Sequence, residues 1–504
     1  MENTIASRAT RKEWIGLIII ALPCIVYAMD LTVLNLAVPF ISADLKPKSS
    51  ELLWIIDIYG FMVAGMLITM GTLGDKIGRR KLLMIGAAFF AITSVIAAFS
   101  TSAIMLIIAR ALLGLAGATV APSTLSLIRN MFPDEKQRTF AIGVWITSYS
   151  VGGAIGPLVG GTLLDYYSWQ SVFLVSVPVM ILLLITAPFL LPEYKDPNAG
   201  KLDLLSAGQS IAAILSVIFG LKKIAEEGLT LQAATSIVMG VVFTWLFIRR
   251  QNKLSSPLID LKLFRIPRFS ISLLAYMTAA FVSFGGSVFL AQYLQLVIGL
   301  SPLRAGLWML PWTIGFIIGS LLTPFMIKYV RPVKLMTIGF IAAAIGYAII
   351  MQLDTLPTFV VLVTGSLITS ISMAPVFTLT TDFILNAAPP EKTGAASAIS
   401  ETSAEMGGAL GIAILGSIGT AIYRLRLSSG LSGSVPRSVI DASEDTLGAA
   451  LNEAQQLKQN GDVLRRVAQE SFTDALQIIL LVSAVLSAIL AIIIYLKLAR
   501  VKKS

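Results

Sequence analysis

Two carboxylates four residues apart, Glu401 and Glu405, interrupt an otherwise apolar run, TGAASAISETSAEMGGALGIAILGSIGTAI. At that spacing they share one face of a helix. The same face carries Ser397, Gly408 and Ala409, small residues that permit close helix contact or leave a cavity. Two carboxylates in a low-dielectric site repel, so one of them is disposed to hold a proton. A group that holds a proton and releases it to a cation can exchange one for the other. Spacing alone does not say which glutamate does which. Asp30, in MDLTVLNLAVP, and Asp57, in LLWIIDIYG, follow the same logic, and Asp382 is a further acid in an apolar run. Arg110, in ARALLGLAGA, is a permanent cation. An arginine beside an acid ties that acid's hold on a proton to their separation. The bland alternative is that each charge is paired, bonded to backbone, or close enough to headgroups to be solvated. Against it stands the cost of a mid-span charge, about 2.5–3.5 kcal/mol on insertion scales, which makes such residues functional by default.

The chain has no histidine, so proton traffic near neutral pH falls to Asp and Glu. Its single cysteine, Cys24, can form no internal disulfide. No metal-ligand cluster, nucleophile constellation or nucleotide-binding P-loop is present. The expectation is therefore no enzyme, no cofactor and no metal, with the proton gradient as the driving force.

The elements that position these residues follow from hydropathy. The 504 residues are 56% hydrophobic and 13% charged, about half the charge of a soluble domain. A spanning helix needs about 20 mostly apolar residues. Fourteen such runs occur, at 15–41, 52–74, 82–99, 101–123, 139–163, 170–191, 206–221, 231–248, 269–297, 305–327, 335–351, 358–384, 394–423 and 474–496. The fold class is all-α integral membrane protein. The first run reads as a retained helix, not a signal peptide. The segments on the N-terminal side of the membrane hold well over half of the 38 Lys and Arg, which places both termini in the cytoplasm. The net charge of +10 is then mostly this asymmetry and does not call for nucleic acid. The linker 249–268, basic with interleaved apolar residues, reads as an amphipathic segment on lipid headgroups. Residues 424–472 read as a long external loop, disordered or folded as a small helical hairpin.

The chain also repeats itself. KLLMIG at 81–86 recurs as KLMTIG at 334–339, Ala121-Pro122 as Ala374-Pro375, Glu135-Lys136 as Glu391-Lys392, and GGAIG at 152–156 as GGALG at 407–411. The offsets stay between 253 and 256 residues. This predicts two six-helix halves in one orientation, 1–200 and 269–504, with two helices and a linker inserted at 201–268. Parallel repeats suit a transporter whose halves rock about a midplane site. The halves differ in charge. Opposite Glu401 and Glu405 the first half has Ile146 and Ser150, and the counterparts of Asp30 and Asp57 are neutral, with Trp312 near the latter. The acids of spans 1, 2 and 13 thus suit one central cavity. The tenth span carries no acid, which favours monovalent over divalent cations.

The motifs resemble the major facilitator superfamily over nearly the whole chain. GTLGDKIGRRK matches its loop signature through Gly71, Asp75, Gly78, Arg79, Arg80 and Lys81. ARALLGLAGA matches the fourth-helix motif built on Arg110, and GVWITSYSVGGAIGPLVGG the antiporter signature through Gly143, Gly152, Gly156, Pro157, Gly160 and Gly161. MDLTVLNLAVP resembles the first-helix motif of the fourteen-helix drug:proton antiporter branch. LLWIIDIYG and the glutamate-bearing span are similar to quaternary-ammonium efflux pumps of the QacA and SmvA type. The resemblance implies proton coupling at Arg110, a gate at Asp75 with Arg79 and Arg80, and a fifth helix that seals the cavity toward one side. Physically, an acid in a loop can face an arginine or a helix terminus in one conformation and lose it in another. Tyr27, Tyr59, Trp145, Tyr149 and Trp312 are candidates to line a cavity for flat cations, while Trp54 and Trp308 also fit an interfacial belt.

The function expected is a proton-coupled multidrug efflux antiporter, acting as a monomer in the bacterial cytoplasmic membrane, amid lipid. Its cargo would be lipophilic cations: quaternary ammonium compounds and dyes, with fluoroquinolones a further class. Two alternatives stand beside it: an exporter of an endogenous lipid or metabolite, and a non-transporting membrane sensor or scaffold.

Overall fold

A backbone in lipid must satisfy its own hydrogen bonds, so an apolar chain of this kind crosses as helices. The computed structural model describes residues 9–195, 203–254, 257–353, 358–387, 393–431, 435–457 and 460–498. Among them are fourteen helices of spanning length and hydropathy, and each overlaps one of the fourteen apolar runs. They are α1 (Arg11–Leu45), α2 (Ser49–Ile77), α3 (Arg79–Ala98), α4 (Ala103–Met131), α5 (Glu135–Tyr166), α6 (Ser171–Leu190), α7 (Leu204–Glu227) and α8 (Leu231–Gln251). After a short linker come α9 (Pro267–Val297), α10 (Pro302–Tyr329), α11 (Pro332–Ile350), α12 (Thr358–Ala387), α13 (Thr393–Gly430) and α14 (Gly461–Leu498). An even number of crossings puts both ends of the chain on one side, here called the terminal end.

The repeat has a structural meaning. Gly152 of α5 lies so close to α1 that a Cβ there would run into the Ile25 carbonyl, and Gly407 of α13 meets the Met277 carbonyl of α9 in the same way. Both repeats of the GGxxG pattern therefore dock a helix backbone-to-backbone on the first helix of their own half. Gly86 against Thr119 and Gly339 against Ser372 repeat the match in the next helices. Small residues serve this purpose in membranes because lipid supplies no hydrophobic drive for helix association. The inserted α7 and α8 pack on each other, and α7 touches both α2 and α13.

Two boundaries differ from those that hydropathy predicts. Within residues 424–472 the structure has the pair of short helices that is one of the two sequence alternatives, Arg437–Ser443 and Leu447–Gln456, but the flanking ends differ: α13 runs on to Gly430 and α14 begins at Gly461. Specific bonds hold this cap. The Tyr423 hydroxyl donates to the Ser443 carbonyl at 3.0 Å, Arg424 donates to the Glu444 carbonyl at 3.2 Å, and Phe472 stacks on Phe289 with centroids 4.9 Å apart. Polar residues can extend a helix once it has left the membrane and found partners. The second difference is α7, which continues past 221 to Glu227 and takes Lys222 inside the helix. In the linker, Leu263 and Ile266 pack with Ile384 and Ile399 at the terminal ends of α12 and α13. Residues 201–202 and 255–256 of the insert lie outside the described residues.

Overpacking a tight helix contact costs about 1–3 kcal/mol. Gly152→Ala should therefore lower the unfolding midpoint of the purified protein, whereas Gly143→Ala, where a Cβ would meet nothing within 4 Å, should leave it unchanged. Thermal unfolding in detergent compares them.

Candidate functional site

Arg110 is 1% exposed and Asp30 5%. In the middle of the first bundle they form a direct ion pair, α4 to α1. The guanidinium also donates to the Ile55 carbonyl of α2 at 3.2 Å and lies over the Tyr59 ring, 4.6 Å from its centroid. Three helices thus converge on one charge. Tyr59 and Ile55 are one turn apart on α2, so this face of α2 looks inward.

Next to this pair an aromatic set continues toward the second bundle. Tyr27 and Tyr59 have centroids 6.0 Å apart, Tyr27 and Tyr149 5.6 Å, and Trp145 and Tyr149 5.0 Å. The Trp145 indole N–H donates to Thr124 Oγ1 at 2.9 Å, which fixes the ring. The Tyr27 hydroxyl donates to Glu405 Oε1 at 2.8 Å. That bond joins α1 of the first bundle to α13 of the second. The buried Tyr59 hydroxyl has no hydrogen-bond partner among the described residues, yet it lies in the electrostatic reach of both Asp30 and Glu405.

Glu401 sits one turn nearer the terminal end and is exposed. It acts electrostatically on Tyr149 of α5 and on Tyr276 of α9, so its exposure is to the space between the bundles. The second bundle lines that space with its own aromatic row: Tyr276 against Phe377 at 5.5 Å, Phe377 against Phe316 at 5.6 Å, Phe316 stacked on Trp312 at 5.5 Å, and Trp312 beside Phe284 at 6.1 Å. Of these only Trp312 is a candidate from sequence. Phe316 follows it by one turn, and that spacing is a readable signal. Phe377 and Tyr276 come from other helices, and nothing local marks them.

Asp57 is elsewhere. It stands two residues from Tyr59, about 200° around the helix, so it faces away from the central space. It contacts Lys222 of α7, whose ammonium lies 3.0 and 2.8 Å from the two carboxylate oxygens. The candidate acids therefore do not form one central cluster: Asp30, Glu401 and Glu405 border the central space, and Asp57 is paired at the flank. Sequence reasoning misses Lys222 because the apolar run stops one residue before it. Asp382 is exposed near the terminal end and accepts from Asn386 at 2.8 Å. Trp308 packs on Phe359 at 5.0 Å.

The motif residues bracket this space. At the far end, a Cβ on Gly161 of α5 would lie 2.6 Å from the Leu303 Cα of α10, and one on Gly306 would lie 2.5 Å from the Pro157 carbonyl. Gly60 of α2 opposes Ala409 of α13, Gly416 of α13 opposes Leu53, and Asn35 of α1 reaches Ser287 of α9 at 3.5 Å. These approaches between the bundles lie toward the far end, while Glu401 is exposed on the terminal side. Within the first bundle, Gly156 and Gly160 seat α5 on Thr32 and Val33 of α1. At the terminal end Asp75 pairs with Arg79, and Arg79 also donates to the Pro122 carbonyl at 3.2 Å. Arg80 donates to the Leu191 carbonyl at 2.9 Å, and Glu193 accepts the backbone N–H groups of Arg80 and Lys81 at 3.1 Å each. Gly78, at φ 115°, makes the turn between α2 and α3 in a backbone region that side chains avoid. A Cβ on Gly71 would lie 3.7 Å from the Pro122 Cβ, an ordinary contact. The Asp75–Arg79 pair is thus formed inside the first bundle, with the Arg79 Nε left without a hydrogen-bond partner among the described residues, while the bundles are joined at the other end.

Comparison with known proteins decides the family. The Major Facilitator Superfamily profile matches residues 20–412. The chain belongs to this superfamily. It is 40% identical over 444 residues to the multidrug efflux pump LfrA of Mycolicibacterium smegmatis, covering 88% of each chain. It is 35% identical over 472 residues to the methyl viologen resistance protein SmvA of Salmonella typhimurium, covering 92% of this chain and 93% of that one. Among solved structures, a bacterial homologue of the human lysosomal transporter Spinster superposes with a TM-score of 0.67 at 17% identity, over 98% and 99% of the two chains. That likeness shows the fold. The protein is a multi-pass membrane transporter for small molecules and not an enzyme.

Removing one partner of a buried ion pair leaves the other charge stranded, at a cost of about 3–5 kcal/mol. Asp30→Asn should lower the unfolding midpoint in detergent, and Asp30→Asn with Arg110→Gln should recover part of the loss. A double variant no more stable than Asp30→Asn would show that Arg110 is held by Ile55 and Tyr59 alone.

Proposed function

We propose that this transporter is an efflux antiporter that exchanges protons for lipophilic cations. The observation that carries the reading is the placement of Glu401 and Glu405 between two aromatic sets, one from each bundle, in a space open on the terminal side. Carboxylates supply the charge a cation needs, and aromatic faces add about 0.5–2 kcal/mol per cation–π contact. Flat, hydrophobic, singly charged molecules fit that lining. The names of LfrA, a multidrug efflux pump, and SmvA, a methyl viologen resistance protein, support outward transport and a flat aromatic cation as cargo, although methyl viologen itself carries two charges.

In this reading the terminal end is cytoplasmic and the membrane is the bacterial plasma membrane. A cation enters from the cytoplasm and competes with the proton on the glutamates. Tyr27 releases or keeps Glu405 according to that competition, because a hydroxyl donates best to an ionised carboxylate. The bundles then rock, the far-end contacts at Gly161 and Gly60 part, and external protons displace the cargo. Asp30 follows the same cycle through Arg110, whose pairing distance governs its hold on a proton. The Asp75–Arg79 pair rearranges as the terminal end closes. Transport by a single chain is sufficient for every step.

In proteoliposomes with an imposed pH gradient, the native chain should drive ethidium transport. Glu401→Gln with Glu405→Gln should lose gradient-driven transport, and Asp30→Asn should lose coupling while retaining ethidium binding. Transport by the double glutamine variant at the native rate would move the proton site to Asp30. No ethidium transport by the native chain would favour an endogenous, lipid-like cargo.

Asp75→Ala should slow turnover more than it weakens ethidium binding, checked by initial rates beside equilibrium fluorescence titration. Weaker binding with an unchanged turnover number would contradict the gate.

A further inference from the structure

The inserted pair α7–α8 has no counterpart in either six-helix half. Its contacts are uneven in kind. Toward α2 it makes a charged bond: Lys222, 2% exposed, lies 3.0 and 2.8 Å from the oxygens of Asp57, 1% exposed. The Trp54 ring, also on α2, lies beneath the ammonium at 4.0 Å. Further along α7, Ile211 fills the notch left by Gly65 of α2. Toward α13 the contact is apolar: Ile218, Ile214 and Leu215 gather with Ala409, Ala413 and Leu410, together with Phe61 of α2. So α7 lies across the seam where α2 of the first bundle meets α13 of the second.

A seam between rocking bundles must open at its far end once per cycle. A helix covering it cannot stay fixed to both sides. A buried ion pair resists separation, because parting it strands two charges in lipid. An apolar contact through alanines has no such barrier, since sliding exchanges one set of van der Waals contacts for another. We propose that Lys222 is a positioning residue for transport: it pins the inserted helices to α2 through Asp57 and Trp54, so that they travel with the first bundle and slide on α13, keeping the seam closed to lipid. The proposal rests on the transport reading above. It gives Asp57 a role apart from the central acids and gives the two extra helices a part in the cycle.

The test measures distances in the native background, where Cys24 is fully buried and out of reach of a spin label. Labels go on three exposed positions: Leu229→Cys on the α7–α8 turn, Lys48→Cys at the start of α2 and Leu425→Cys on α13. Electron–electron resonance in liposomes compares the resting protein with protein turning over ethidium under a pH gradient. The Lys48–Leu425 pair reports rocking. The expected result is that Lys48–Leu425 and Leu229–Leu425 change together while Leu229–Lys48 stays constant. Rocking with Leu229–Leu425 constant and Leu229–Lys48 changing overturns the pinning. No change in Lys48–Leu425 sinks the rocking transport reading instead, and the proposal with it.

Lys222→Gln supplies the functional arm. It should broaden the Leu229–Lys48 distance and slow turnover by about tenfold, with the ethidium dissociation constant within about twofold of native. Native turnover with a broadened distance would show the pin to be dispensable and overturn the proposal. Where Lys222→Gln does not fold, the distances in the native chain still decide.

Discussion

A guanidinium keeps its charge at any pH a cell meets. Arg110 is buried in the middle of a membrane bundle, so everything near it must answer to that charge. Asp30 neutralises it, the Ile55 carbonyl takes a second N–H, and Tyr59 offers its ring. These come from three helices, so α1, α2 and α4 are set relative to one another by a single requirement. The consequences extend outward. With Tyr59 fixed, Tyr27 packs beside it, and Tyr27 in turn reaches Glu405 across the gap between the bundles. The first bundle is therefore electrostatically and sterically linked to the acid in the second by two ring contacts and one hydrogen bond.

Function in such a molecule needs contacts that are firm within each bundle and releasable between them. The distribution of small residues and charges achieves this. Inside the bundles, glycines such as Gly152 and Gly407 let backbones touch, and the ion pair at Arg110 ties α4 to α1. Between the bundles, the far-end approaches are made by Gly161, Gly306, Gly60 and Ala409 against apolar chain or backbone. Such contacts separate without exposing a charge. The Tyr27–Glu405 bond is a polar contact between the bundles near the centre, and Asn35–Ser287 and Ser301–Asp165 are polar contacts toward the far end. Asp57 and Lys222 follow the same division, since their strong bond lies on one side of the seam.

Much of this architecture is legible in the order of the amino acids. Helix length and number follow from apolar runs because lipid leaves a chain few alternatives. The repeat is visible as recurring short strings, and the geometry gives two of them, through Gly86 and Gly339 and through Gly152 and Gly407, a common use in helix docking. Glu401, Glu405, Asp30 and Arg110 stand out because a charge in an apolar run needs a reason. The end of α13 and the start of α14 are not legible in this way, because hydropathy marks where lipid stops, not where helix stops. Lys222 escapes notice for the same reason: a cation at the edge of an apolar run looks like a loop residue until its partner is seen.

The sequence by itself determined the class, the fourteen crossings, the two related halves and the charged residues that interrupt the apolar runs, because each is dictated by local composition in a solvent that tolerates little polarity. Only the tertiary structure decided which charge meets which. Whether Asp57 joins the central acids depends on the rotation of α2 about its axis, and packing sets that rotation. Arg110 faces Asp30 and not another acid because α1 and α4 approach each other in the bundle, a fact of topology that no single helix contains. The second bundle's aromatic row is assembled from three helices, so apart from the one-turn spacing of Trp312 and Phe316 its members share no pattern in sequence and come together only where the helices converge.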